Sequence, residues 1–200
     1  GGQARGKLVL GMNDAQAWVL SSRETLTFAG VSLATGGEPA LRDVTLALDP
    51  QATYDGQRLE LTGSARLASG GQELLHKTYT VRGPFEELEV AAQSRTNLAA
   101  LARQPLFTAA LRDFAEPGTV LTTDAAATVR PDTYRLRRAV FSLARGQAVP
   151  LRAELLQEIT VPLTAEGQGF DMDTFAASLS GDLARLEAEA LPLSLLETVV

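Results

Sequence analysis

The chain of 200 residues has no cysteine, which excludes disulfide staples, thiolate metal sites and a thiol nucleophile together while leaving the redox compartment open. It has one histidine, His76. A zinc site needs several N, S or O ligands in a compact set, and a Ser-His-Asp triad would have to recruit that same residue. Neither has support in the residues around "ELLHKTYTV", where a solvated strand histidine is expected. Aromatic residues make up only 6%, with Trp18 the single tryptophan, which counts against a sugar-stacking surface. No window approaches the roughly 18 apolar residues of a membrane-spanning helix, and no basic-then-apolar leader precedes a cleavage site. A G-x-S-x-G elbow, a phosphate loop and a G-x-G-x-x-G fingerprint are all missing. With 24 acidic against 18 basic residues and a net charge of −6, attachment to nucleic acid is disfavoured. No enzyme activity, cofactor or nucleic-acid partner is expected.

What the chain does have is alternation. Hydrophobic residues at 45% and charged residues at 21% are ordinary for a globular segment, and they are distributed with a period of two. In "RLELTGSARLA", Leu59, Leu61, Ala65 and Leu67 share one side, and Arg58, Glu60, Thr62, Ser64 and Arg66 share the other. "ITVPLTA" groups Ile159, Val161 and Leu163, and "FDMDTF" sets Phe170 and Met172 against Asp171 and Asp173. "YRLRRAVFSLA" is less regular: Tyr134, Leu136 and Val140 fall with Arg138, while Ala139, Phe141 and Leu143 fall opposite. Turn signals separate these runs at Asn13-Asp14, Thr35-Gly36-Gly37, Asp55-Gly56, Ser69-Gly70-Gly71, Gly146-Gln147, Gly167-Gln168-Gly169 and Gly181-Asp182. Half-buried strands joined by glycine turns predict a mainly β chain, an antiparallel meander of hairpins. The sheet is groove-like or sandwich-like, since one apolar face serves an open trough and a closed core equally.

One segment departs from this period. In "TNLAALARQPLFTAALRDFA", Leu98, Leu101, Ala102, Leu106, Ala109, Ala110 and Phe114 follow helical spacing. Thr96 or Asn97 caps the start and Pro117-Gly118 ends it. Pro105 predicts a kink within 96–115, or two short helices of which the second starts at the proline. The tail "GDLARLEAEALPLSLLETV" suits a helix and a strand equally.

The chain also repeats itself. "SLATGGEPALR" at Ser32 to Arg42 returns as "SLARGQAVPLR" at Ser142 to Arg152, with six of eleven positions identical, and "RLASGGQELL" at Arg66 to Leu75 is a weaker copy. "GPFEELEVAA" from Gly83 is echoed by "GDLARLEAEA" from Gly181. Duplicated units over 24–125 and 132–200, or reuse of one hairpin chemistry, both account for this, and both imply stacking of similar units into a long sheet.

Phrases such as "LTFAGVSLATGGEPALRDVTLALDP", "LELTGSARLASGG", "YTVRGPFEELEVAAQSRTNLAALARQPLF" and "FAASLSGDLARLEAEALPLSLL" give roughly residues 24–196 a rhythm that resembles the periplasmic region of AsmA-like bacterial envelope proteins. The resemblance implies a repeating β-groove with an apolar concave face, phospholipid as partner and a role in outer-membrane biogenesis. It also implies a periplasmic location with an inner-membrane anchor outside this chain. The start at "GGQARGK" and the apolar end "LLETVV" are read as an excerpt of a longer protein, one β-rich region over 1–200 whose exposed sheet edges suit stacking onto the parent chain's remaining portions. Lipid-lining candidates are Leu59, Leu61, Leu67, Val140, Ile159, Val161, Leu163, Phe170 and Met172. Asp171 and Asp173 lack the further oxygen ligands of a calcium loop, and the basic run at Tyr134–Arg138 is read as a solvated strand face.

Overall fold

A computed structural model describes residues 2–35, 38–146, 148–155 and 157–163. Eight strands follow one another, each antiparallel to the last: β1 (Gln3–Met12), β2 (Trp18–Thr35), β3 (Glu38–Tyr54), β4 (Leu59–Ser69), β5 (Gln72–Gly83), β6 (Leu88–Asn97), β7 (Thr119–Val129) and β8 (Thr133–Arg145). Strands β9 (Ala148–Glu154) and β10 (Ile159–Pro162) both pair with β8, β9 along Val140–Arg145 and β10 along Thr133–Leu136. They lie end to end as one interrupted edge strand. The sheet does not close on itself, so the protein is an open antiparallel meander, and among the described residues no second sheet faces the first. The expectation of a mainly β meander holds. The proposed unit 132–200 extends well beyond residue 163 and lies largely outside the described residues.

Alternation translates directly into two faces because successive side chains in a strand point to opposite sides. Leu59, Leu61, Ala65 and Leu67 of β4 stand opposite Tyr54, Ala52, Leu48 and Leu46 of β3, and the same row positions continue as Gly83, Val81, Lys77 and Leu75 on β5. Strand β8 keeps its apolar side together by a different device. Ala126 pairs with Arg138 and Ala127 with Leu136, so Arg137 is an extra residue. This β-bulge resets the phase: Tyr134, Leu136, Ala139, Phe141 and Leu143 all reach one face, and Val140 is sent to the other with Arg138.

The repeated phrase is a hairpin of fixed construction. Leu33 pairs with Leu41, Leu67 with Leu75 and Leu143 with Leu151, so the matched leucines are cross-strand partners in all three copies. Each copy carries one extra residue on the returning strand between the tip and the second leucine, Ala40 and Leu74 in the first two. At the tip of the β4–β5 copy, Gly70 and Gly71 have φ of 56° and 74°, the two positive angles of a type I′ turn that glycine adopts without a Cβ clash. All three tips lie at the same end of the sheet.

The β6–β7 connection passes over that end. Helix α1 (Leu98–Leu101) is capped by Asn97, whose Oδ1 accepts from the Ala100 N–H at 3.0 Å. A 3-10 turn starts at Pro105 (Pro105–Phe107) and another covers Arg112–Phe114. The cap and the restart at the proline are as expected, but the buried stripe ends early: Leu98, Ala99, Ala100 and Ala102 are buried, whereas Leu106, Ala109 and Ala110 are exposed. Pro105 has no N–H to continue the helix. The chain is held down instead by Gln104, a buried side chain whose Oε1 accepts from the Arg42 N–H of β3 at 2.8 Å. Two separate apolar clusters result. Val44, Leu74 and Ala100 form one with Val31, Leu41, Leu67 and Leu101 around α1. Ala127, Leu136, Ala139, Ile159 and Val161 form the other, flanked by Tyr134 and Leu155.

Candidate functional site

The face that carries both clusters is largely apolar and, among the described residues, is covered only in part. On β1, Leu8, Leu10 and Met12 are exposed, and so are Trp18, Phe28 and Leu33 on β2 and Phe141 on β8. The register puts all seven on this one face: Met12 pairs with Trp18 and Leu10 with Leu20, Phe28 with Leu46, Leu33 with Leu41, and Phe141 with Thr123. Exposure reaches 65% at Leu10 and 57% at Met12. A polar row crosses the face at Lys77, Ser94 and Thr123, and the Ser94 and Thr123 hydroxyls bond each other at 2.7 Å, which engages one of their two O–H donors. At the end away from the leucine hairpins, Phe85 tilts against Tyr54 with ring centroids 5.4 Å apart. Tyr79 lies over Gly63, where a Cβ would come within 2.6 Å of its hydroxyl. The missing side chain lets the ring lie flat against the strand.

Of the predicted lining residues, Leu59, Leu61, Leu67, Ile159 and Val161 are on the apolar face, and alternation carries Leu163 there beside Val161. Ile159 and Val161 are fully packed in a core cluster rather than open. Val140 is corrected to the opposite face: the bulge at Arg137 inverts the phase that simple alternation assigned, and Val140 stands opposite Asp124. Phe170 and Met172 lie outside the described residues. Sequence reasoning named none of the seven exposed members, Leu8, Leu10, Met12, Trp18, Phe28, Leu33 and Phe141, as lining candidates. The signal for Leu8, Leu10, Met12 and Phe28 was present in "KLVLGM" and "TLTF", whose alternation matches that of β4.

The other face is polar and self-compensating over much of its area. Arg82 Nε meets Glu89 Oε2 at 3.0 Å, Arg138 Nη2 meets Asp124 Oδ2 at 3.0 Å, and Arg135 pairs with Glu158. Burial against the second core cluster raises the pKa of Tyr134 above the usual phenol value. In the β3–β4 turn the Asp55 carboxylate is held below its ordinary range by the backbone N–H of Arg58 and then that of Gln57, at 2.7 and 2.9 Å. Among the described residues no three His, Asp or Glu side chains gather as a metal requires, and no helix is long and apolar enough to cross a membrane.

Neither a family model, a curated protein nor a solved structure matches the chain.

Proposed function

We propose that this protein is a non-enzymatic bacterial envelope domain of the AsmA-like kind, whose apolar sheet face shields or conducts phospholipid acyl chains for outer-membrane biogenesis in the periplasm. The observation that carries the reading is the convergence of Leu8, Leu10, Met12, Trp18, Phe28, Leu33 and Phe141, all exposed, on one face of an open sheet. Leu8, Leu10, Met12 and Trp18 stand together at the β1–β2 edge, and a group of exposed apolar side chains of this kind marks an interaction surface. Removing acyl surface from water yields about 0.8 kcal/mol per methylene, and a wall with few directional groups lets a chain slide along it. Strand β2, with 18 residues, would reach about 60 Å if fully extended at roughly 3.3 Å per residue, more than the length of an acyl chain. The role of an inner-membrane anchor belongs to the parent protein in this reading.

The test is mass spectrometry of an organic extract of the purified protein beside a mock purification. Phospholipid at stoichiometric level is expected. Its absence, together with failure of the native protein to bind an apolar dye, would sink the lipid reading. The same face would then belong to a binding or scaffolding module, covered by protein as one half of a sandwich.

A further inference from the structure

One transverse row of the polar face departs from the charge pattern around it at its centre. The register runs Arg5, Thr27, Ala47, Arg66, His76, Arg95, Thr122, Ser142, Arg152 from β1 to β9, and Arg152 at its far end pairs with Glu154. It contains four arginines and the only histidine, and no carboxylate. At its centre Arg66, His76 and Arg95 occupy three adjacent strands, each directly opposite the next. Side chains so placed have Cβ atoms about 5 Å apart, and like charges there repel. Six residues away on the same strands the signs alternate as Glu60, Arg82 and Glu89, with the 3.0 Å Arg82–Glu89 pair. Every other arginine on β4–β9, namely Arg82, Arg135, Arg137, Arg138, Arg145 and Arg152, has a carboxylate within 4 Å, whereas Arg66 and Arg95 have none among the described residues.

We propose that Arg66, His76 and Arg95 form a binding site for a small, soluble oxyanion of the phosphate class. There is room beside two of the three: a shallow groove of about 380 Å³ is walled by His76, Arg95, Thr122 and Ser142, with Arg66 on the strand next to His76 and outside the groove wall. Guanidinium forks bind a tetrahedral oxyanion through paired N–H donors, and the imidazole N–H and the Ser142 hydroxyl add donors from other strands, the Thr122 hydroxyl donating to the Ser142 carbonyl at 3.4 Å. One carboxylate, Asp124, also borders the groove, but Arg138 holds it at 3.0 Å and Gln93 Nε2 donates to it at 3.4 Å.

Charge around the row limits the occupant's size. The neighbouring row reads Asp49, Ser64, Thr78, Gln93, Asp124, Val140, Glu154, with three carboxylates, and the chain carries a net −6. Asp124 and Glu154 of that row are paired with Arg138 and Arg152, so it is Asp49 and the chain's net charge of −6 that disfavour an anionic bilayer or a polyanion across this face, whereas a single phosphate fits within the basic row. The site is on the face opposite the apolar surface and stands independently of the lipid reading.

The test is titration of the full chain with inorganic phosphate against matched chloride at low ionic strength, followed by amide chemical shifts and calorimetry. Saturable shifts at Arg66, His76 and Arg95 are expected, with affinity falling about tenfold or more in Arg66→Gln and in Arg95→Gln, the loss of a charge-assisted pair. Arg82→Gln, in the alternating row, should bind as the wild type does. Thermal unfolding of each variant checks that the sheet is intact, and removing a repelled arginine should leave the midpoint unchanged or raised. No saturable response, or an equal loss in Arg82→Gln, would overturn the proposal. So would binding to phosphatidylglycerol vesicles through Arg95 without a response to phosphate, which would make the row a membrane contact instead.

Discussion

At the hairpin-tip end of the apolar face, Val44 and Leu74 are 2% exposed beneath helix α1; at the β1–β2 edge, Leu10 and Met12 are 65% and 57% exposed. Both regions are written in the same alternation on strands of the same sheet. The difference is made by a separate stretch of chain, the β6–β7 connection, which Asn97 turns into a helix and Gln104 ties back to β3. An apolar face is therefore a core only where something is laid on it. The same residues uncovered are a surface available to a ligand.

The covered end is the more sensitive to substitution. Leu74→Ala should cost about 2–5 kcal/mol, the usual range for truncating a buried leucine, and denaturant unfolding measures it directly. A value near that for a surface residue would show that α1 does not pack as described. Uncapping α1 with Asn97→Ala should cost about 1 kcal/mol, read in the same experiment, and should raise native-state dye binding if α1 lifts from Val44 and Leu74. At the open edge, Leu10→Ser and Met12→Ser should each change stability by no more than about 0.5 kcal/mol. Together they should nonetheless reduce dye or lipid binding by the native protein; unchanged binding would move the active surface away from β1. The smallest effect is expected at the β3–β4 turn, far from either region. Because the folded pKa of Asp55 is depressed, its contribution is present above the unfolded carboxylate value near 4 and is lost as pH falls through the lower folded value. Asp55→Asn should remove that part of the acid dependence, seen as a flatter midpoint-versus-pH curve below about pH 4, with the neutral-pH fold unaltered.

How much of this was legible depended on whether a residue's fate is local. Strand β4 was readable because its partners on both sides keep perfect step through Leu59, Leu61 and Leu67, so period two alone assigns the face. Strand β8 was not, since a bulge adds one residue without any sequence mark other than an untidy alternation, and Val140 was placed on the wrong side for that reason. The turn after β7 at Arg130–Asp132 has no glycine and was passed over although Pro131-Asp132 is a turn pair, while Asn13-Asp14, Asp55-Gly56 and Ser69-Gly70-Gly71 fall at observed connections or their edges. In the 96–115 segment the cap and the restart at Pro105 are local and were legible. The early end of its buried stripe was not, because it depends on how Gln104 reaches Arg42, 62 positions away in the chain. Exposure at Leu10 and Trp18 was likewise out of reach, as alternation says which side a residue takes and nothing about what covers it.

The shared construction of the Leu33–Leu41, Leu67–Leu75 and Leu143–Leu151 hairpins has an arithmetic side. Each adds an even number of strands and returns the chain to the end from which it set out. Splicing out β4 and β5 would thus bring the end of β3 to the start of β6 with Ala52 facing Val90, both already on the apolar side. Width in such a sheet is a countable, editable quantity: it can grow or shrink two strands at a time without any flanking residue changing sides, whereas an odd number of strands would turn every later row inside out.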